Sequence, residues 1–153
     1  MINLKDNNYG FTLIELLVVT AIISLLAMIA VPSYNNSVSK ARRADAQSSL
    51  ANFASAMERH LTETGSYLGA AGTSGTPTDT GSPWIFPTAT PIDGEIKFYD
   101  LTIEVATAGS YTLRATPLAG QAGDGYLELT SAGIERWDRN NDGDTSDSGE
   151  DYW

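Results

Sequence analysis

The run FTLIELLVVTAIISLLAMIAV, residues 11–31, is almost wholly apolar and constrains the chain more than any other feature. As a helix rising about 1.5 Å per residue it spans roughly 31 Å, enough to cross a hydrocarbon core. The apolar stretch of a secretory signal peptide is usually about 7–15 residues and ends in a small-residue cleavage site. This run is longer, and no clear A-x-A site appears before Pro32. The pattern predicts a retained membrane helix, preceded by a short polar leader, MINLKDNNYG.

Beyond Ser33 the composition changes to mixed small and polar residues, and 153 residues in all suit one domain plus an added element. The formal net charge is −10. Such a surface repels phosphate backbones, since nucleic-acid affinity rests on Lys and Arg. The one basic cluster, Lys40, Arg42 and Arg43, is small, so nucleic acid is not an expected partner. With no cysteine, disulfides, thiolate nucleophiles and Cys-ligated zinc are excluded. A single histidine, His60, argues against a histidine-based catalytic or metal site.

Two residues of the apolar segment stand out. A carboxylate at the bilayer centre costs roughly 2.5–3.5 kcal/mol on insertion scales, and less near the interface. Glu15 therefore either has a partner or sits hydrated near one membrane surface. Pro32 directly follows the run; it lacks an N–H and clashes with the preceding turn. It either loosens the helix near residues 28–31 or marks the boundary of the soluble part.

The string Gly10-Phe11-Thr12-Leu13-Ile14-Glu15-Leu16 resembles the processing motif of type IV pilins and pseudopilins. The resemblance implies cleavage between Gly10 and Phe11 by a prepilin peptidase, followed by N-methylation of the new Phe11 amine. It also implies a role for Glu15, whose carboxylate would pair, in a filament core, with the Phe11 amine of a neighbouring subunit. Because an unpaired buried charge is strongly penalised, such pairing would enforce register. Pro32 would be the softened place that lets the helix bend during assembly.

Residues 33–64 continue as helix. Leu50, Phe53, Met57 and Leu61 recur at helical spacing and predict a buried stripe, extended by Ala46 and Ala54. Arg43, Gln47, Glu58 and Arg59 are expected on the opposite face, His60 is expected in solvent beside the stripe, and Gly65 is a helix stop. Residues 66–94, rich in Gly, Thr, Ser and Pro, read as a long surface loop whose end is pinned by Trp84, Ile85 and Phe86. Four strand-like runs follow at 95–106, 110–116, 125–130 and 133–137. Short turns favour an antiparallel meander, and one amphipathic helix across it makes a small α+β head. The expected layout is leader 1–10, membrane or filament-core helix 11–32, amphipathic half 33–65, surface loop 66–94, antiparallel four-stranded sheet 95–137 and acidic loop 138–153.

The segments KARRADAQSSLANFASAMERHLTETGSY and SYTLRATPLAGQAGDGYLELTSAG are similar to type IVa, PilE-like minor pilins, which implies the pilin fold. Many of these proteins have two cysteines that tie down the C-terminal loop. This chain has Gly123-Asp124-Gly125 and Asp151-Tyr152-Trp153 at the two places, so something else must do that work.

The stretch from Asp138 to Asp144 places oxygen ligands at positions 1, 3 and 5, then glycine, like the first half of an EF-hand loop. Position 12 would be Gly149, with Glu150 one residue late, and no exiting helix fits before Trp153; a true EF-hand is rejected. Two readings remain. Asp138, Asn140, Asp142, Asp144 and Asp147 form an isolated calcium loop, for which type II secretion pseudopilins offer a family precedent, or the segment is a solvated acidic tail.

The expected function is a structural subunit of a type IV pilus, a minor pilin of assembly or initiation supporting adhesion and twitching motility. Its partners would be other pilin subunits, the prepilin peptidase and the inner-membrane pilus assembly machinery. It would sit in the inner membrane of a Gram-negative bacterium before assembly and outside the cell afterwards. Alternatives are a type II secretion pseudopilin and a ligand- or DNA-binding pilin displayed on the filament. A membrane-anchored enzyme is disfavoured, as no nucleophile–base pair or phosphate loop is present.

Overall fold

The computed structural model describes residues 11–153; the expected leader, and with it Gly10 of the expected cleavage site, lies outside the described residues. Helix α1, Leu13–Thr64, occupies 52 residues. Its start is set by a reciprocal capping box. The Glu15 N–H donates to the Thr12 hydroxyl at 3.3 Å, and the Thr12 N–H donates back to the Glu15 carboxylate at 3.1 Å. The helix ends where Gly65, at φ 81°, adopts the left-handed conformation and donates its N–H to the Leu61 carbonyl at 2.7 Å. Pro32 lies inside α1 without ending it.

The chain divides after Val38 into two compact units. In the N-terminal unit every residue from 11 to 37 is exposed. In the head, residues 39–153, the predicted stripe is the core: Ala46, Leu50, Phe53 and Met57 are fully buried, and Leu61 packs partly against them.

The main sheet has five antiparallel strands in the order β3-β4-β5-β6-β7: Ala89–Thr90, Tyr99–Ala106, Tyr111–Pro117, Leu127–Thr130 and Glu135–Trp137. Alternation sets its two faces. Tyr99, Leu101 and Ile103 of β4 join Tyr111, Leu113 and Ala115 of β5 and Leu127 and Leu129 of β6 in the core. The register continues across strands, Ile103 opposite Leu113 and Leu113 opposite Leu129. On the other face Thr102, Arg114, Glu128 and Arg136 form one cross-strand row. There Arg114 bonds Glu128 at 2.9 Å, which lets Glu128 lie buried within a strand.

Two expectations need correcting. The sheet is not four-stranded from residue 95: it begins with the two-residue β3, and β4 starts only at Tyr99. Between them the chain turns, with Lys97 donating its ammonium to the Pro91 and Ile92 carbonyls at 2.6 and 3.0 Å. Nor is 66–94 all loop. It holds a small antiparallel hairpin, β1 (Ala71–Thr73) with β2 (Thr76–Thr78), in addition to β3. Ile85 and Phe86 anchor the segment's end, Phe86 stacking on Phe53 at 5.0 Å, and Trp84, although 43% exposed, is tied back by its Nε1 and its N–H to the Gly69 and Ala70 carbonyls.

Candidate functional site

The apolar half of α1 has few polar side chains, and each hydroxyl finds a partner on its own helix. Thr20 donates to the Leu17 carbonyl at 3.0 Å and Ser24 to the Thr20 carbonyl at 2.7 Å. Glu15 receives the Thr12 hydroxyl at 2.9 Å as well as the Thr12 N–H. These contacts satisfy hydrogen-bonding capacity, and among the described residues no cationic side chain pairs with the carboxylate. Around it Phe11, Leu13, Ile14, Leu16 and Leu17 are all more than half exposed. The segment is thus an unburied apolar surface with one charge at its start.

Of the polar residues expected in solvent, Arg43 is half-buried and His60 buried, while Glu58 stays exposed yet takes two hydroxyls of the head. Arg43 makes a two-point ion pair with Asp124, through Nε at 2.8 Å and through Nη2, and lies 3.6 Å over the Trp137 ring. The Tyr99 hydroxyl donates to the same carboxylate. Burial pushes the Asp124 carboxyl up, but the donors Arg43, Tyr99 and Gln121 outweigh it and hold it below the usual carboxylate range. Glu58 accepts from the Tyr67 hydroxyl at 3.0 Å and the Tyr111 hydroxyl at 3.2 Å. His60 is buried, with Nε2 2.9 Å from the Leu68 carbonyl. A carbonyl only accepts, so Nε2 carries the proton.

The segment joining β5 to β6 grips the start of the head's helix. Arg42 donates to the Gly120 carbonyl at 2.9 Å and stacks on Phe98, while Gln121 donates to the Ser39 carbonyl at 3.0 Å. Gly125, at the end of this segment, is irreplaceable in packing terms. A Cβ there would lie 1.6 Å from the Asp138 carbonyl oxygen, and its φ is +70°.

That close approach is part of how the C-terminal loop is tied without cysteine. The Asp138 N–H donates to the Tyr126 carbonyl at 3.0 Å, and Trp137 Nε1 donates to the Asp124 carbonyl at 2.6 Å. The buried Glu150 carboxylate accepts N–H groups from Arg139 at 3.0 Å and Asp147 at 3.3 Å. Asp138, also buried, accepts those of Asp142 at 3.1 Å and Gly143 at 3.2 Å. Of the sequence-predicted ligands, Asp138, Asn140, Asp142 and Asp147 share one hydrogen-bonded cluster. The Asn140 amide bridges the Asp142 and Asp147 carboxylates at 3.0 and 2.9 Å. Asp144 joins the cluster through its backbone, its N–H donating to the Asp142 carboxylate at 3.2 Å, while its own carboxylate accepts the Ser146 N–H at 2.8 Å. Among the described residues no group of three or more His, Cys, Asp or Glu side chains is arranged to hold a metal ion.

Two family models match this chain. One described as "Type IV minor pilin ComP, DNA uptake sequence receptor" matches residues 32–128, and one for the prokaryotic N-terminal methylation motif matches residues 5–31. The chain therefore belongs to the type IV minor pilin family. Pilins are structural proteins, and this chain is not an enzyme. A type IV major fimbrial protein FimA of Dichelobacter nodosus is 40% identical over 58 residues, 38% of this chain. A second is 45% identical over 42 residues, 28% of this chain. The matched regions cover 37% and 26% of those relatives' lengths. A crystal structure of the Neisseria meningitidis non-core minor pilin PilV is similar with a TM-score of 0.47 and 16% identity, over 76% of this chain and 97% of that one.

Sequence patterns do not expose the Arg43–Asp124–Tyr99 cluster, whose members come from α1, the segment before β6, and β4. One signal is available for Gly125: it lies in a glycine-rich turn at the place where related proteins keep a cysteine.

Proposed function

We propose that this chain is a minor subunit of a type IV pilus, acting in filament assembly or initiation and so in adhesion and twitching motility. The observation that carries the reading is the helix surface of residues 11–31: apolar, exposed, its hydroxyls satisfied, its one carboxylate without a cationic side-chain partner among the described residues. Such a surface suits a membrane first and a bundle of like helices afterwards. In this reading a prepilin peptidase cuts between Gly10 and Phe11, the Phe11 amine is methylated, and that amine neutralises Glu15 of a neighbouring subunit. Pro32 supplies a helix position without an N–H donor, where α1 can yield during extraction. Sheared filaments examined by mass spectrometry should contain the chain beginning at Phe11. Its absence from filaments, or an N-terminus at Met1, would refute the reading.

A second reading, DNA reception on the filament, is supported by the name of the family model. The charges point the other way. Arg42, Arg43, Arg114 and Arg136 are engaged in contacts within the head, and the chain carries −10 overall. Retention of duplex DNA at low salt, lost on mutating Lys40 and Arg59, would establish it.

Calcium binding by the acidic loop is a further proposal. Its support is six acids against Arg139 alone over residues 138–153, and the cluster of Asp138, Asn140, Asp142 and Asp147. Entry of the cation requires the Asn140 amide to leave its two carboxylates. Melting temperature with and without calcium, against a chelator control, tests it.

A further inference from the structure

The head carries an open groove of about 510 Å³ lined by Ala56, Arg59, His60 and Glu63 of α1 and by Trp84 and Ile85. This volume falls within the range of small-molecule sites, roughly 300–1,000 Å³. Its floor is firm, since Ala56 is 3% and His60 7% exposed. Its wall is an indole left 43% exposed yet held in place at several points. Trp84 Nε1 donates to the Gly69 carbonyl at 2.7 Å, and the Trp84 N–H donates to the Ala70 carbonyl at 3.2 Å. The His60 ring meets it edge-on at 6.2 Å, and that ring is itself fixed by the Leu68 carbonyl. An exposed aromatic face with so little freedom loses little entropy on binding a ligand.

The charged groups beside it are uncommitted. Arg42, Arg43, Arg114, Arg136 and Arg139 each engage a carboxylate, a carbonyl or a ring. Among the described residues Arg59 alone of the arginines makes no such contact. Among the same residues Glu63, one turn further along α1, has no ion-pair partner either, although a pair at this spacing could have formed. The groove thus presents a fixed apolar plate, a free fork of N–H donors and a free carboxylate acceptor.

We propose that this groove binds a neutral pyranose sugar. The flat C–H face of a pyranose is apolar and suits the indole, while its ring of hydroxyls both donates and accepts. Arg59 would donate hydrogen bonds to hydroxyl or ring oxygens and Glu63 would accept hydrogen bonds from hydroxyl groups. A nucleotide fits the same plate less well: its phosphate would meet the Glu63 carboxylate and the −10 net charge of the chain. Sugar recognition adds a ligand to the head and does not rest on the assembly role.

The test uses the full chain in a zwitterionic detergent free of sugar headgroups. Methyl β-galactoside, methyl β-glucoside and N-acetylglucosamine are offered at millimolar concentration and followed by saturation-transfer NMR. At least one should receive saturation at its ring C–H protons. Trp84→Ala should abolish the signal. Because Trp84 also anchors its loop, Arg59→Ala and Glu63→Ala, both at exposed helix positions, serve as the second arm. Each should weaken binding by about tenfold without changing the melting temperature. Absence of transfer to all three sugars would overturn the proposal. So would binding unaffected by both helix variants, or displacement of the sugar signal only by a single-stranded oligothymidylate that itself binds more tightly.

Discussion

The two halves of α1 obey opposite rules although they belong to one helix. From residue 11 to 37 every side chain is exposed, whereas beyond Ser39 the stripe of Ala46, Leu50, Phe53 and Met57 is fully buried by its own sheet. The head's half is amphipathic because it has a partner within the chain. Residues 11–31 of the N-terminal half are apolar nearly all round, the signature of a helix whose surroundings are supplied from outside. One half is covered within its own chain; the other acquires meaning only in lipid or beside other copies.

The largest break in this contrast is expected from Glu15→Val. It should leave membrane insertion, cleavage and head stability unchanged, yet remove the chain from sheared filaments almost entirely. Normal incorporation measured by quantitative mass spectrometry would sink the counter-charge role.

In the head the largest effect should come from Gly125→Ala, where a Cβ meets the Asp138 carbonyl. A loss of roughly 3 kcal/mol or more in denaturant unfolding is expected, with filament incorporation falling only as far as folding does. Asp124→Ala comes next. It strands Arg43 against Trp137 and should cost on the order of 3 kcal/mol. The associated pH dependence has a definite sign. Asp124 has a folded pKa below its unfolded one, so its contribution is full above the ordinary carboxylate range and is lost as pH falls through the folded value. Acid should therefore destabilise the wild type more than an Asp124→Asn variant, as read by melting temperature across that range.

The smallest effect concerns the acidic loop. If calcium replaces the Asn140 amide between Asp142 and Asp147, millimolar calcium should raise the head's melting temperature by a few degrees and Asp142→Asn should remove the rise. An unchanged melting temperature would leave the loop a solvated closure held by Glu150 and Asp138.

Much of this architecture can be read from residue order, for a physical reason. The membrane-length segment and the stripe of Leu50, Phe53, Met57 and Leu61 are periodic, and periodicity survives without knowing the partner. The strands around Tyr111–Pro117 and Leu127–Thr130 alternate in the same legible way. Periodicity misplaces Arg43 and His60 because each is satisfied by a group it does not encode, Asp124 and the Leu68 carbonyl, and it leaves unseen that the exposed Glu58 takes the Tyr111 hydroxyl. No local pattern encodes such pairings. Strand β3 is too short to show a period, and β1 and β2 are hidden by their Gly and Thr residues. At the N-terminus the capping box is equally concealed, since Thr12 and Glu15 read first as parts of a processing motif.

The closure of the C-terminal loop has one more consequence. At the place where the resemblance would put a covalent bridge, this chain uses the Glu150 carboxylate, the Trp137 indole and a glycine that lets two backbones touch. Hydrogen bonds need no oxidant to form and no reductant to open. The head can therefore mature in any redox environment, and its loop can breathe reversibly and rapidly where a bridged loop would stay locked.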